Sequence, residues 1–202
     1  MNMNCIIIHG GPGDEKPSID HKMGEMHWMG WAKERLNSLG IETTNPAMPD
    51  PWNPRYEDYK KEFEKFLVDE NTILIGHSRG CAFLVHWLGD SKQKIKKLIL
   101  VAPWKVSVDD IGEEKLKTKF YDFKIDPSIK DRAGEIVYFT SNDEDIEGKE
   151  SLKIYHDAIG GKIIELPNHG HYTLEDMGTD EFPELIDATK TNRPMWWGDC
   201  KK

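Results

Sequence analysis

Short β-branched runs alternate with helically spaced apolar positions along most of this chain, and that alternation limits its fold more than any other feature. Runs at 5–9, 41–44, 72–75, 97–102, 135–140 and 162–166 are strand-sized. Between them Trp28, Trp31, Ala32, Arg35 and Leu39 recur at three-to-four spacing, as do Tyr56, Tyr59, Phe63, Phe66 and Leu67. Residues 81–88 read as an apolar helix. Two more helical patterns are marked by Leu152, Tyr155, His156 and Ile159, and by Phe182, Leu185 and Ile186. Strands that alternate with helices predict an α/β architecture, a parallel sheet covered on both faces. Right-handed crossovers leave few other topologies.

The rhythm breaks once. Residues 104–134 carry seven acidic and seven basic side chains around Ile111, Leu116, Phe120, Tyr121 and Phe123, and read as an excursion from the end of the fourth strand. With 202 residues and no linker or repeat, 1–191 is expected to form one domain. Residues 192–202 form a tail whose Trp196 and Trp197 either fold back or dock on a second copy.

Composition removes several classes of function. Hydrophobic residues at 38% and charged residues at 31% describe a soluble globular chain. The longest aliphatic runs, 5–8 and 98–102, fall far short of the ~20 residues of a membrane span. Only Met-Asn-Met-Asn precedes the first run, so no secretory segment is expected. A net charge of −9 argues against a nucleic-acid partner. Cys5, Cys81 and Cys200 form no C-x-x-C pair, which favours a reduced, cytoplasmic protein.

The chemistry centres on Gly76-His77-Ser78-Arg79-Gly80. G-x-S-x-G alone is weak evidence, arising by chance in roughly one chain of this length in fifteen. Here it follows a β-branched strand directly and opens an apolar helix, the setting of a nucleophile elbow. Such a turn is strained and needs small neighbours, which Gly76 and Gly80 supply. A serine nucleophile needs a base, and the base an orienting acid. Asn168-His169-Gly170-His171-Tyr172 follows the sixth strand, and the glycine before His171 lets the backbone bend toward the serine. His171 is therefore the candidate base, ahead of His169 and His156.

The acid is sought after the fifth strand, where Asp143, Glu144 and Asp145 compete. Asp143 leads because D-x-x-I lets Ile146 anchor the loop while Asp143 points at the histidine. Asp145 is second and Glu144 third. The oxyanion hole would use the amides of Arg79 and Gly11, with Gly10 as the alternative to Gly11. The loop is not a dinucleotide fingerprint, because Lys16 stands where the third glycine belongs. H-x-H at His169 and His171 lacks a third ligand at a recognisable spacing, so no metal is expected.

These residues together resemble the small α/β-hydrolases of the retinoblastoma-binding-protein-9 type. Trp28-Met29-Gly30-Trp31 is similar to that family's W-x-G-W, and Met48-Pro49-Asp50-Pro51 to its M-P-D-P turn. Gly76-His77-Ser78-Arg79-Gly80 matches its G-H-S-x-G, and Gly170-His171-Tyr172 its G-H-aromatic. The motifs run in the family's order from Ile6 to about Leu185. The resemblance implies a three-layer α/β-hydrolase sandwich and a triad of Ser78, an acid in the Asp143 loop, and His171. The family's acid commonly sits in S-x-x-D, whereas Ser141-Asn142-Asp143-Glu144 places Asp one residue early, which keeps Asp145 open. The first loop has fewer glycines than is usual for the family, and the tail has no counterpart in it.

The resulting expectation is six parallel strands in the order 2-1-3-4-5-6, with Ser78, Asp143 and His171 meeting at their carboxyl ends. The function expected is a serine hydrolase that acts on a small-molecule ester, thioester or amide through an acyl-enzyme, without a cofactor. Trp104 is expected either to line the acyl pocket or to be an ordinary core or surface tryptophan. The rival readings are a protein-interaction module on the same fold, or an acyltransferase or cofactor-free oxidation on the same triad.

Overall fold

A computed structural model of the chain describes residues 3–11, 23–106 and 119–190. Twelve helices and strands are labelled here among those residues. In chain order they are β1 (Asn4–Ile8), α1 (Met29–Ser38), β2 (Glu42–Thr44), α2 (Tyr56–Phe63), β3 (Thr72–His77), α3 (Arg79–Ser91) and β4 (Lys97–Val101). Then follow β5 (Ile136–Ser141), α4 (Ile146–Ile159), β6 (Lys162–Leu166), α5 (Leu174–Met177) and α6 (Pro183–Thr189). All strand pairs are parallel, in the order β2-β1-β3-β4-β5-β6. Both the six-stranded sheet and its order agree with the expectation from the sequence.

The period-two alternation of each strand divides the core into two layers. Ile6, Ile8, Leu74, Leu98, Leu100 and Tyr138 face one side, where Phe63 of α2, Phe83 and Leu84 of α3, and Tyr155 of α4 cover them. Cys5, Ile7, Ile73, Ile75, Ile99 and Phe139 face the other, beneath Ala32 and Leu36 of α1 and Leu185 of α6. Every residue of β3, β4 and β5 is buried, which is why their sequences run apolar without alternation. The edge strand β6 is largely exposed, and its charges at Lys162 and Glu165 discourage pairing with another chain.

Lys97, at the start of β4, is a departure the sequence did not signal. Its buried ammonium pairs with Glu135 at 2.7 Å and donates to the carbonyls of Ala188 and Lys190, where it caps the end of α6.

Residues 107–118 of the excursion and the tail from 191 onward lie outside the described residues. No helix among the described residues is long and apolar enough to cross a membrane.

Candidate active site

Parallel strands bring their carboxyl ends to one edge, and there the loops after β1, β3, β5 and β6 converge. β3 ends at His77, and Ser78 takes φ 52° and ψ −118° before α3 begins. A non-glycine residue rarely adopts that conformation, so the turn is strained, as a nucleophile elbow requires. The space beneath it is closed to side chains. A Cβ on Gly76 would lie 2.8 Å from the Cys81 nitrogen, and one on Gly80 would run into the Ile8 carbonyl. Ser78 is held from both sides: its N–H donates to the Val101 carbonyl at 3.0 Å, and its own carbonyl accepts from Cys81 and Trp104.

His171 stands over this serine. Its Nε2 is 2.9 Å from Ser78 Oγ, and its Nδ1 is 3.0 Å and 3.2 Å from the two Glu144 oxygens. A carboxylate can only accept, so Nδ1 carries the proton and Nε2 is free to accept from the serine hydroxyl. Glu144 is 5% exposed, and its Oε1 also accepts from the Asp145 N–H at 3.1 Å.

The loop that carries His171 is shaped by polar contacts. Gly170 has φ 47°, as the glycine before the base suggested, and a Cβ there would meet Asp176 at 2.6 Å. Asp176 accepts from the His171 N–H at 2.9 Å, and His77 Nε2–H donates to the His171 carbonyl at 2.8 Å. His169 faces away, with its Nδ1 2.7 Å from the Pro167 carbonyl.

Asp143, the leading candidate for the acid, is not the carboxylate brought to His171. Its Oδ1 accepts from the Gly170 N–H at 3.0 Å and from the Ser141 hydroxyl. The Ser141 hydroxyl and the Gly170 amide hold its carboxyl below the usual carboxylate range. The reason lies in Ile146. D-x-x-I selects Asp143 only when this side chain is buried, and it is 75% exposed. With that anchor absent, the turn after Ser141 directs residue 144 inward and residues 143 and 145 outward. Asp145 instead precedes α4, where its carbonyl accepts from Lys149.

The remaining predicted residues also gather here. Gly10 comes so close to the serine that a Cβ on it would lie 3.0 Å from Ser78 Cβ, so the loop after β1 flanks Ser78. Gly11 follows in that loop, and Arg79 opens α3 as its first residue, where an α-helix leaves the N–H without an intrahelical acceptor. Trp104 packs edge-on against the His171 ring at 5.4 Å. Among the described residues no cluster of histidine, cysteine and carboxylate side chains could hold a metal ion.

Sequence reasoning missed two histidines. His77 braces the loop that carries His171, and its buried ring is held well below the usual imidazole range by desolvation and by the neighbouring His171. His9 opens the loop after β1 and is hydrogen-bonded on both ring nitrogens. A clue lay in the placement of each beside a residue already singled out, Ser78 and Gly10.

A family model described as "Serine hydrolase" matches residues 21–190. YdeN of Bacillus subtilis is 29% identical over 194 residues, covering 93% of this chain and 95% of that protein. The serine hydrolase RBBP9 of Rattus norvegicus is 27% identical over 193 residues, covering 93% and 94%. The crystal structure of the B. subtilis ydeN gene product superposes with a TM-score of 0.77 at 25% identity, covering 93% of this chain and 96% of that one. Est1E from Butyrivibrio proteoclasticus shares the fold, with a TM-score of 0.62 at 15% identity over 93% of this chain and 85% of its own.

Proposed function

This chain belongs to the serine hydrolase family, and from that premise we propose that it cleaves an ester, thioester or amide through an acyl-enzyme on Ser78. The observation that carries the reading is the unbroken line from Ser78 Oγ through both His171 nitrogens to the Glu144 carboxylate. Glu144 takes the role the sequence had assigned to Asp143.

In this reading Ser78 Oγ attacks the substrate carbonyl carbon while its proton passes to His171 Nε2. The imidazolium that forms is stabilised by Glu144, which stays ionised and fixes the ring's tautomer. The carbonyl π electrons move to oxygen, and the amides of Arg79 and Gly11 receive the negative charge. On collapse the bond to the leaving group breaks, and Nε2 returns the proton to the departing alcohol, thiol or amine. Water then enters, gives a proton to Nε2 and attacks the acyl carbon. The second collapse releases the carboxylic acid and restores the serine hydroxyl. Trp104 walls the site beside the base and contributes to the acyl pocket.

Hydrolysis of a panel of acyl esters of graded chain length tests this reading and identifies the preferred acyl group. Ser78→Ala and His171→Ala are each expected to reduce turnover by several orders of magnitude. The double variant should lose no more than either single one, because the pair acts as one unit. Turnover retained in Ser78→Ala would refute the reading.

A further inference from the structure

The turn of Met48, Pro49, Asp50 and Pro51 takes no part in proton transfer, yet two side chains beside the oxyanion loop are moored to it. The Met48 N–H donates to His9 Nε2 at 2.9 Å. An N–H donor there makes Nε2 the acceptor, so the proton of the neutral imidazole lies on Nδ1. This Nδ1–H donates to the Gly10 carbonyl at 2.6 Å. His9 is only 1% exposed, so water does not compete for either bond. On the other flank the Arg79 guanidinium donates to the Pro51 carbonyl and, at 3.1 Å, to the Tyr121 hydroxyl. It fills the space against Gly11, where a Cβ would lie 2.7 Å from it.

The Gly10 carbonyl and the Gly11 N–H belong to one planar peptide and point in opposite directions. Fixing one therefore aims the other. We propose that His9 is a positioning residue of the oxyanion hole, clamping the Gly10–Gly11 peptide by its carbonyl so that the Gly11 N–H stays directed at the developing negative charge. The Met48 amide sets the histidine tautomer that makes the clamp possible, and Arg79 closes the opposite side. The inference rests on the reading of Ser78 as nucleophile. A donor aimed in advance acts in the transition state more than in the ground state, so its loss lowers kcat and leaves KM nearly unchanged.

Two isosteres separate the two ring nitrogens. Asparagine places a donor near the Nδ1 position and keeps the bond to Gly10 while abandoning Met48. Glutamine reaches the Nε2 position and does the reverse. His9→Gln is expected to lose about 10- to 100-fold in kcat, with KM within about threefold of wild type. A boronic acid transition-state analogue should lose affinity by the same factor, and Tm should fall by no more than a few degrees, because the buried Gly10 carbonyl loses its donor. His9→Asn should recover at least about tenfold of that kcat, although its Tm falls by a few degrees because the buried Met48 N–H loses its acceptor. If His9→Gln does not fold, His9→Leu replaces it in the comparison of kcat with His9→Asn. A kcat that follows Tm through the series, or a wild-type kcat in His9→Gln or His9→Leu, overturns the clamp. Wild-type protein is first treated with a fluorophosphonate. Absence of label on Ser78 would overturn the underlying hydrolase reading, and the clamp with it. A labelled serine with unaltered kcat in the variants would overturn the clamp alone.

Discussion

The Glu144 carboxyl group occupies the space that a side chain at Gly148 would need: a Cβ on Gly148 would stand 2.7 Å from Glu144 Cδ and 2.8 Å from its Oε1. Gly148 lies in the first turn of α4, so the helix is open at the point where the carboxylate passes to reach His171. Gly148→Ala should therefore separate stability from activity. In a helix interior alanine is favoured over glycine by about 1 kcal/mol, which offsets part of the cost of displacing the buried carboxylate, so Tm should change by only a few degrees. The displaced carboxylate would release the His171 Nδ1–H, and kcat should fall at least about tenfold. Thermal denaturation and ester kinetics on the same preparation check both halves.

The neighbouring carboxylates should respond in the opposite order to that expected from the sequence. Glu144→Gln removes the charge that stabilises the imidazolium and lets the amide favour the wrong tautomer, so kcat should drop by about 10³- to 10⁴-fold. Asp143→Asn retains an oxygen that can accept from the Gly170 N–H, and should stay within about tenfold of wild type. Steady-state kinetics of the two variants side by side decide between them.

The strands, their order, the strained turn at Ser78 and the histidine placed beside it were legible because each has a local signature. β-Branched runs bounded by turn residues give the strands, and a serine between two glycines at a strand end gives the elbow. The acid was not legible by the same means. Asp143, Glu144 and Asp145 sit in one short turn, and which of them points inward depends on the turn's path and on the space left by Gly148 on the following helix. D-x-x-I points to residue 143 only if Ile146 is buried, and Ile146 is exposed. The family's S-x-x-D spacing, counted from Ser141, reaches residue 144, but an aspartate one position early drew attention from the glutamate there. His9 and Lys97 were missed for a similar reason. A polar residue inside or at the end of an apolar run reveals its role only when its distant partners, Met48 for His9 and Ala188 for Lys97, are brought beside it.

Acid sensitivity should trace in part to His9. Burial is the main cause of a shift that lowers its imidazole to about 4, and the nearby Arg79 charge acts in the same direction. An unfolded imidazole titrates near 6.5. Between those values the unfolded chain binds a proton that the folded chain refuses, so stability rises with pH and is lost as pH falls from about 6.5 toward 4. His9→Gln removes that linkage. The Tm difference between wild type and His9→Gln should be constant above pH 7 and move against the wild type by several degrees on going down to pH 4. Melting curves across that range check the sign, and a difference independent of pH would contradict it.

The central claim is that Ser78 is a nucleophile activated through His171 and Glu144. Intact-mass and peptide-mapping analysis after brief exposure to a fluorophosphonate tests it most directly. The account predicts one covalent adduct per chain on Ser78, no adduct in Ser78→Ala, and labelling slowed by at least about 10³-fold in His171→Ala and Glu144→Gln. An unlabelled wild-type protein, an adduct on another residue, or wild-type labelling rates in both His171→Ala and Glu144→Gln would contradict it.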